Sequence, residues 1–460
     1  MRGIDARSGV ILVLCLLTAW PASAQSGDAT IPEYHVTVDP DSFAFILQFP
    51  HEDIYVGATV TSGGITYTGV RMRIRGDSSR NRPKKSFKLE FTGRALPRGV
   101  RTLNLNADYL DESYLHTALS SILMRRSGQP VFDARHALLY VNGRFNGIYL
   151  QVENMDEAFL ARMGLDPQGN LYKASLDGAC LSPYDDVLYH WEKKTNENDA
   201  PHDLVELIVA INSVPQPDYE AFAREWFDYD AMVNLLAMNM LIANGSTYYH
   251  NYYMYHDVRG SGKWTYLPWD TDFSFGSYGI TYDYRRSSGS GTPDNPYHER
   301  AIISESILAD VRSRVEELAG DVFHPDVLNP IIDSIAAVIA PYVPLDSLDG
   351  VSDLQEWQSR VDAEKRFIEL RPSYLLRQID ENVRSFLLDR EPDITPEGIT
   401  FRWSRSVSPQ GDPVRYSLVL ARTTTFNSLT DRVFRDLTDT TLTVSPLPAP
   451  GRYFWWVTAI

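Results

Sequence analysis

Between Asp228 and Ala243 the chain is apolar on nearly every helical face (DYDAMVNLLAMNMLIA), which predicts a helix buried all round. Asp228 is its expected N-cap and Gly245 its expected C′ residue. A polar loop ending in His250-Asn251 follows. Then Tyr252 to His256, the Gly260-Ser261-Gly262 turn and Trp264 to Leu267 predict a hairpin. Nearer the N-terminus, residues 33–75 run in short alternating segments (YHVTV, FAFIL, GVRMRIR) and read as sheet. Lys85 to Leu89 resumes the alternation after a loop that contains Gly76 and Pro83. Asp111 to Ser127 puts Leu115, Leu119, Ile122 and Leu123 on one face and stops at Gly128, an amphipathic helix. Asn142-Gly143 centres a hairpin over residues 136–153, and Asn170 to Ala174 is a short strand.

Beyond Gly276 a Gly/Ser/Tyr-rich loop, residues 276–298, is expected to be mobile and to cover a site. Two helical stretches, residues 303–340 and 353–388, follow it. A Pro- and acid-rich linker (DREPDITPE) then leads to a tail, residues 398–460, of β character throughout (TFRWS, RYSLVLA, TLTVSPL, GRYFWWVTA).

The length of 460 residues allows two or three domains. Residues 1–24 have the form of a secretory leader: Arg2 and Arg7, an apolar core from Val10 to Leu17, then Ala22-Ser23-Ala24. That core is too short to span a membrane, and no other stretch is expected to reach the length a span needs. The expectation is an exported chain, secreted or periplasmic, with no transmembrane segment. Without the leader one cysteine remains, Cys180, so no intrachain disulfide is expected. A net charge of −17 speaks against nucleic acid and anionic membrane as main partners. The acidity is uneven: eleven Lys and Arg fall between Arg71 and Arg101 against Asp77 and Glu90. Such a strip in an acidic chain is either a solvated basic hairpin or a site for a small anion.

Two places can carry chemistry. In RIRGDSSRNRPKKSFKLEF, a Gly/Ser loop between strands offers backbone N–H groups to an anion, with Arg75, Gly76 and Ser78 at its mouth and a lysine on the return strand adding a point charge. At the far end of the 252–267 hairpin, Asn251, Asp270 and Asp272 come together as oxygen donors of the kind a hard cation takes. The plainer alternative is that these acids cap the next turn.

Six motifs in order, RGDSSRNRPKKSFKLEF, LNLNADYLDESYLHTALSSILMRRSG, LYVNGRFNGIYLQVENMD, GNLYKA, HNYYMY and WTYLPWDTDFSFG, resemble the CotH kinase family of spore-coat CotH-like secreted protein kinases. The resemblance covers residues 31–390. It implies an α+β, atypical protein-kinase-like two-lobed fold, with a β-rich N-lobe over residues 31–175 and a helical C-lobe over 200–390. A linker (391–397) and a truncated sandwich similar to a fibronectin type III domain (398–460) complete the chain. It implies ATP with Mg2+ or Mn2+ as cofactors. Lys85 becomes the phosphate-binding lysine, with Lys84 and Lys88 as competitors, and Glu153 its ion-pair partner. Asn251 and Asp270 become metal ligands, with Asp272 assisting.

One position departs from the family pattern. Relatives place an Asp five residues before the metal-binding Asn, where this chain has Ser246; His250 is the nearest stand-in for the missing base. The implied function is transfer of the γ-phosphate of ATP to Ser or Thr of exported or cell-surface proteins. The alternative is a catalytically weak kinase-fold binding or structural protein of a cell-surface assembly, reaching a surface or matrix partner through its tail. A carbohydrate-active enzyme fits less well, because the acids lie beside a basic strip rather than in an aromatic cleft.

Overall fold

A computed structural model describes residues 31–460 apart from 177, 184–185, 287–293, 349–350, 352, 390, 424–430 and 447. The secretory leader expected over residues 1–24 lies outside the described residues.

The first body is a closed seven-stranded barrel in the order β1-β2-β3-β4-β5-β7-β6. Its strands are β1 (Glu33–Val38), β2 (Val56–Ser62), β3 (Ile65–Arg75), β4 (Ser86–Phe91), β5 (Thr102–Asn106), β6 (Ala134–Val141) and β7 (Arg144–Val152). All pairings are antiparallel except β1 with β6, which closes the barrel in parallel. Period-two alternation builds it: β1 buries every second residue, and Val36, Val60, Met72, Leu89 and Leu105 fill the interior. Asn142 and Gly143 both take positive φ (50° and 77°) in the β6–β7 turn, as that dipeptide signalled.

FAFIL, expected as strand, belongs instead to helix α1 (Pro40–Gln48). Pro40 opens that helix, and the Asp39 carboxylate accepts from the Ser42 N–H at 2.9 Å. A cap and an N-terminal proline outweigh a short alternation. Helix α2 (His116–Arg126) starts five residues later than expected. Asp111 instead turns the chain, accepting from the backbone of Ser113 and His116.

The second body packs a four-stranded sheet, order β11-β10-β8-β9, among helices. Its strands are β8 (Asn170–Ala174), β9 (Trp191–Lys193), β10 (Tyr252–His256) and β11 (Trp264–Pro268). The helices are α3 (Glu157–Arg162), α4 (Val187–His190), α5 (His202–Ser213), α6 (Tyr219–Trp226), α7 (Tyr229–Leu241), α8 (Pro296–Ile303), α9 (Glu305–Gly320), α10 (Pro325–Ile339) and α11 (Leu354–Glu381). Helix α7 is buried on nearly every face, as its composition requires, and Asp228 caps it. Its left-handed exit residue is Ala243 (φ 51°), however, and not Gly245. The helical stretch expected over 303–340 consists of α9 and α10, parted at Asp321–His324 just before Pro325.

Pro325–Leu345 is, by length and composition, apolar enough to cross a membrane, which corrects the expectation that nothing beyond the leader reaches that length. Here it lies along α11, with Leu328, Ile332, Ala336 and Ile339 turned inward. The described part of the 276–298 loop is tied down rather than free. Arg371 of α11 donates to the carbonyls of Ile280 and Tyr282, and Arg285 donates to that of Val383.

In the tail, β12 (Asp393–Thr395), β13 (Gly398–Arg402) and β16 (Thr441–Val444) form one sheet, and β14 (Tyr416–Ala421), β15 (Arg432–Leu437) and β17 (Phe454–Ala459) another. Phe401, Trp403, Tyr416 and Leu418 lie in the core they share. Part of the expected linker is therefore strand β12, paired with β13.

Candidate active site

The β10–β11 ladder runs from His256↔Trp264 to Tyr252↔Pro268, so Asn251 and Trp269-Asp270 leave the same end of the hairpin. Asn251 (φ 59°) and Asp270 (φ 54°) both adopt left-handed backbone, costly for a side chain with a Cβ and concentrated at functional sites. The preceding loop is pinned onto the hairpin: the Tyr266 hydroxyl bonds Thr247 Oγ1 at 2.7 Å and accepts from the Tyr248 N–H at 3.2 Å. Asn295 Nδ2 holds the Tyr248 carbonyl at 2.6 Å.

Two cations face Asp270. Arg75, the last residue of β3, is half-buried, bonds the Asn106 side chain and lies over the Trp269 ring. Lys173 lies in β8, opposite Tyr253 of β10. Burial depresses the pKa of both, and Asp270 opposes that shift in each case. Burial also pushes the Asp108 carboxyl up to about 7, with Asp111 and Asp270 adding repulsion. Asp272 is driven well above the usual carboxylate range by burial and then by Asp270 and Asp108.

His116 sits behind this cluster. It donates from Nδ1 to the Asp272 carbonyl at 2.6 Å and from Nε2 to Glu364 of α11 at 2.9 Å. Burial works against its charge, but Asp111 and Glu364 outweigh that and hold the imidazolium up to about 10. A cavity of about 440 Å³ opens beside it, between Phe275-Gly276 and α11.

The basic loop is folded on itself. The Gly76 carbonyl accepts from Arg80 Nε at 2.6 Å, and Gly76 has φ 107° with no room for a Cβ against Ser79. Arg80 is buried and also binds the His51 carbonyl and Asp53, while Ser78 is exposed. Lys85 Nζ donates to the Arg80 and Arg82 carbonyls, both at 2.6 Å. Glu153 pairs with Arg162 (2.5 Å) and accepts from the Asp133 N–H, so the Lys85–Glu153 pair is not formed here. Lys88 is engaged by Glu90 at 2.8 Å.

The buried lysine is Lys84. Its ammonium is 2.7 Å from Asp346 Oδ2, both side chains are fully enclosed, and the Tyr114 and Tyr149 rings flank it. Asp346 also accepts from the Ile148 N–H at 2.8 Å.

Ser246 and His250 meet: Ser246 Oγ is 3.0 Å from His250 Nε2 and accepts from Asn251 Nδ2 at 3.2 Å.

The structure thus joins Arg75, Asn251, Asp270 and Asp272 at one place and Ser246 and His250 beside them. It leaves Gly76, Lys85 and Glu153 in other bonds and Ser78 exposed. Lys173, Asp108, His116 and Asp346 escaped the sequence reading. The one signal for Lys173 was a lysine inside an otherwise apolar strand, NLYKA.

The oxygen donors suit a hard cation. Two carboxylates and an amide at a hairpin end match magnesium, which takes one or two protein carboxylates and leaves the rest to phosphates and water. Among the described residues no group of three His, Cys, Asp or Glu side chains has metal-holding geometry, so the amide of Asn251 and outside oxygens are needed to complete such a shell.

Residues 72–375 match the CotH kinase protein family, well over half of the chain. The inner spore coat protein H of Bacillus subtilis (strain 168) is 27% identical over 313 residues, covering 65% of this chain and 84% of that protein. Among solved structures, the Helicobacter pylori proinflammatory kinase CtkA aligns at 9% identity and a TM-score of 0.30, over 64% of this chain and 92% of that one. The HipA–HipB toxin–antitoxin complex of Shewanella oneidensis MR-1 with its operator DNA aligns at 15% identity and a TM-score of 0.29, over 64% of each chain.

Proposed function

The chain belongs to the CotH kinase protein family, and from that premise we propose that it transfers the γ-phosphate of ATP to Ser or Thr hydroxyls of exported or cell-surface proteins. The observation that carries this reading is the pairing of Asn251 and Asp270 in left-handed backbone at one hairpin end, with half-buried Arg75 and Lys173 acting electrostatically on Asp270. Phosphoryl transfer needs little covalent help from a protein. It needs phosphates clamped, charge neutralised and an acceptor held in line.

Arg75 and Lys173 neutralise phosphate oxygens in this reading, from half-buried positions where water screens a charge less than at the open surface. The lysine–acid pair expected of Lys85 and Glu153 is formed instead by Lys84 and Asp346, enclosed and away from the phosphates, where it braces the fold. Magnesium, held by Asn251 and Asp270 with Asp272 close by, supplies further neutralisation of phosphate charge when bound. The residues of the leader support export, and the two-sheet tail, similar in sequence to a fibronectin type III domain, supports attachment to a surface partner.

The second reading, a kinase-fold binding protein without turnover, is favoured by Ser246, a residue with no carboxylate at the position where the family resemblance implies a base. Transfer of labelled γ-phosphate to a Ser-rich acceptor, with magnesium or manganese, separates the two. The expected result is transfer by the wild type and a loss on the order of a thousandfold in Asp270→Ala. Magnesium-dependent ATP binding without transfer favours the binding reading. Transfer that survives Asp270→Ala overturns the assignment of the site.

A further inference from the structure

We propose that the cavity between α11 and residues 275–280 binds a small organic cation, an ammonium on an apolar body, with Glu364 as its anchor. Binding there needs neither nucleotide nor phosphate transfer, so it stands apart from the kinase reading.

Helix α11 buries one stripe of residues, Trp357, Val361, Glu364, Ile368, Arg371 and Leu375. An acid in such a stripe is costly unless its oxygens find partners. Glu364 has found only one. Its Oε1 accepts from His116 Nε2 at 2.9 Å, whereas Oε2 is buried with no partner among the described residues. The residue is 7% exposed and stands in the wall of the cavity of about 440 Å³. A buried acceptor left open carries the full penalty of its lost hydration, and a donor that enters the cavity relieves it.

Charge decides which donor. Two enclosed carboxylates, Asp111 and Glu364, face one cation, His116, at 3.6 and 2.9 Å. Asp111 already accepts from the backbone of Ser113 and His116 and from Ser113 Oγ, which leaves Glu364 as the group that can still accept. At the rim, Glu112 neutralises Arg360 at 2.8 Å, and Arg366 is exposed, where water screens it. The cavity floor is therefore negative, which favours an ammonium over a hydroxyl and refuses a carboxylate.

The walls set the rest of the ligand. Phe275 and Phe367 are enclosed, Ile280 is half-buried, and Leu110 and Leu370 line the mouth at 44% and 41% exposed. Apolar walls around one convergent polar group suit a compact apolar body bearing a single amine, and the volume is in the range of small-molecule sites.

The probe is benzylamine, titrated into the whole chain by calorimetry beside benzyl alcohol and benzoate, which keep its shape and change its charge. One saturable site with a Kd of about 1 mM is expected for a ligand of so few atoms. Benzyl alcohol should bind about tenfold more weakly, for want of a charge-assisted hydrogen bond, and benzoate should not bind. Glu364→Gln should weaken benzylamine by about tenfold to a hundredfold and leave benzyl alcohol unchanged. Ala363→Phe, which fills the cavity from α11 without altering the polar floor, should abolish binding of both.

No saturable binding of benzylamine overturns the site, as does unchanged binding in Ala363→Phe. Benzyl alcohol or benzoate binding as tightly as benzylamine overturns the assignment of a cation. A Glu364→Gln variant that folds and binds benzylamine like the wild type removes Glu364 as the anchor. Should that variant fail to fold, the ranking of the three probes on the wild type and the Ala363→Phe result still decide. None of these outcomes bears on phosphate transfer, which is read in its own assay.

Discussion

At the end of the β10–β11 hairpin polar side chains are placed by main-chain register, whereas in the loop between β3 and β4 they are placed by their own bonds. Asn251 and Asp270 follow a ladder paired residue for residue, so the backbone brings them together. Residues 76–85 have no ladder. Arg80 and Lys85 hold that loop together by donating to its carbonyls and those of His51, and Lys84 turns the other way into a closed pair with Asp346. Cations that build a loop are not free to bind an anion. Density of charge along a sequence therefore overstates the charge a ligand meets.

The sharpest test of that contrast lies within the loop, in the two adjacent lysines. Lys84→Met leaves a carboxylate buried without its partner and should cost about 3–5 kcal/mol. Removing the charge of Asp346 as well, in Lys84→Met/Asp346→Asn, should recover most of this. Lys85→Ala, half-buried and bonded only to carbonyls, should cost no more than about 1 kcal/mol. Urea unfolding of the four proteins measures all of it. Equal costs for the two lysines would mean that burial does not distinguish them and that the contrast is wrong.

This also shows why some of the site was legible and some was not. The placement of Asn251 and Asp270 at one end of the hairpin was legible because a two-strand turn with a Gly-Ser-Gly tip fixes which residues oppose each other. Helix α7 was found because an all-apolar helix has only one place to go. Lys84 and Lys85 are neighbours with the same composition around them, and only the tertiary contact with Asp346, 262 positions away, separates their fates. Asp108 and His116 lie in an ordinary-looking segment, NADYLDESYLH, whose role depends on Asp270 and Glu364 arriving from elsewhere. Local signals also misled where a cap contradicted a pattern, as at α1.

A smaller effect sharpens the hairpin side of the contrast. His116 ties the Asp272 backbone to α11, and its folded pKa of about 10 lies above the ordinary 6.5. A raised folded value means that the protonated form stabilises the fold. That contribution is whole below pH 6.5 and is lost as pH climbs through 10. Stability should therefore fall by roughly 2–4 kcal/mol across that window, and His116→Gln should flatten the decline while lowering stability at pH 6.5. Unfolding followed at pH 6.5, 8 and 10 would show it. A wild type with no decline between 6.5 and 10 would remove the imidazolium from the account.

The smallest expected effect concerns Glu153, the acid the sequence assigned to Lys85. It stands just after β7 and takes both Nε and Nη2 of Arg162, at 2.7 and 2.5 Å, with the two side chains 22% and 38% exposed. Water reaches such a pair and screens it, so Glu153→Gln should cost under about 1 kcal/mol and leave phosphate transfer at the wild-type rate. Its value lies in what a different result would require. If Glu153→Gln lost transfer as Asp270→Ala does while its unfolding curve stayed in place, the carboxylate would be needed only when nucleotide is present. Lys85 would then have to leave the Arg80 and Arg82 carbonyls and cross to Glu153 on binding. The β3–β4 loop would be a moving part, and the division between a loop that spends its cations on itself and a hairpin that presents its oxygens would hold for the free protein only.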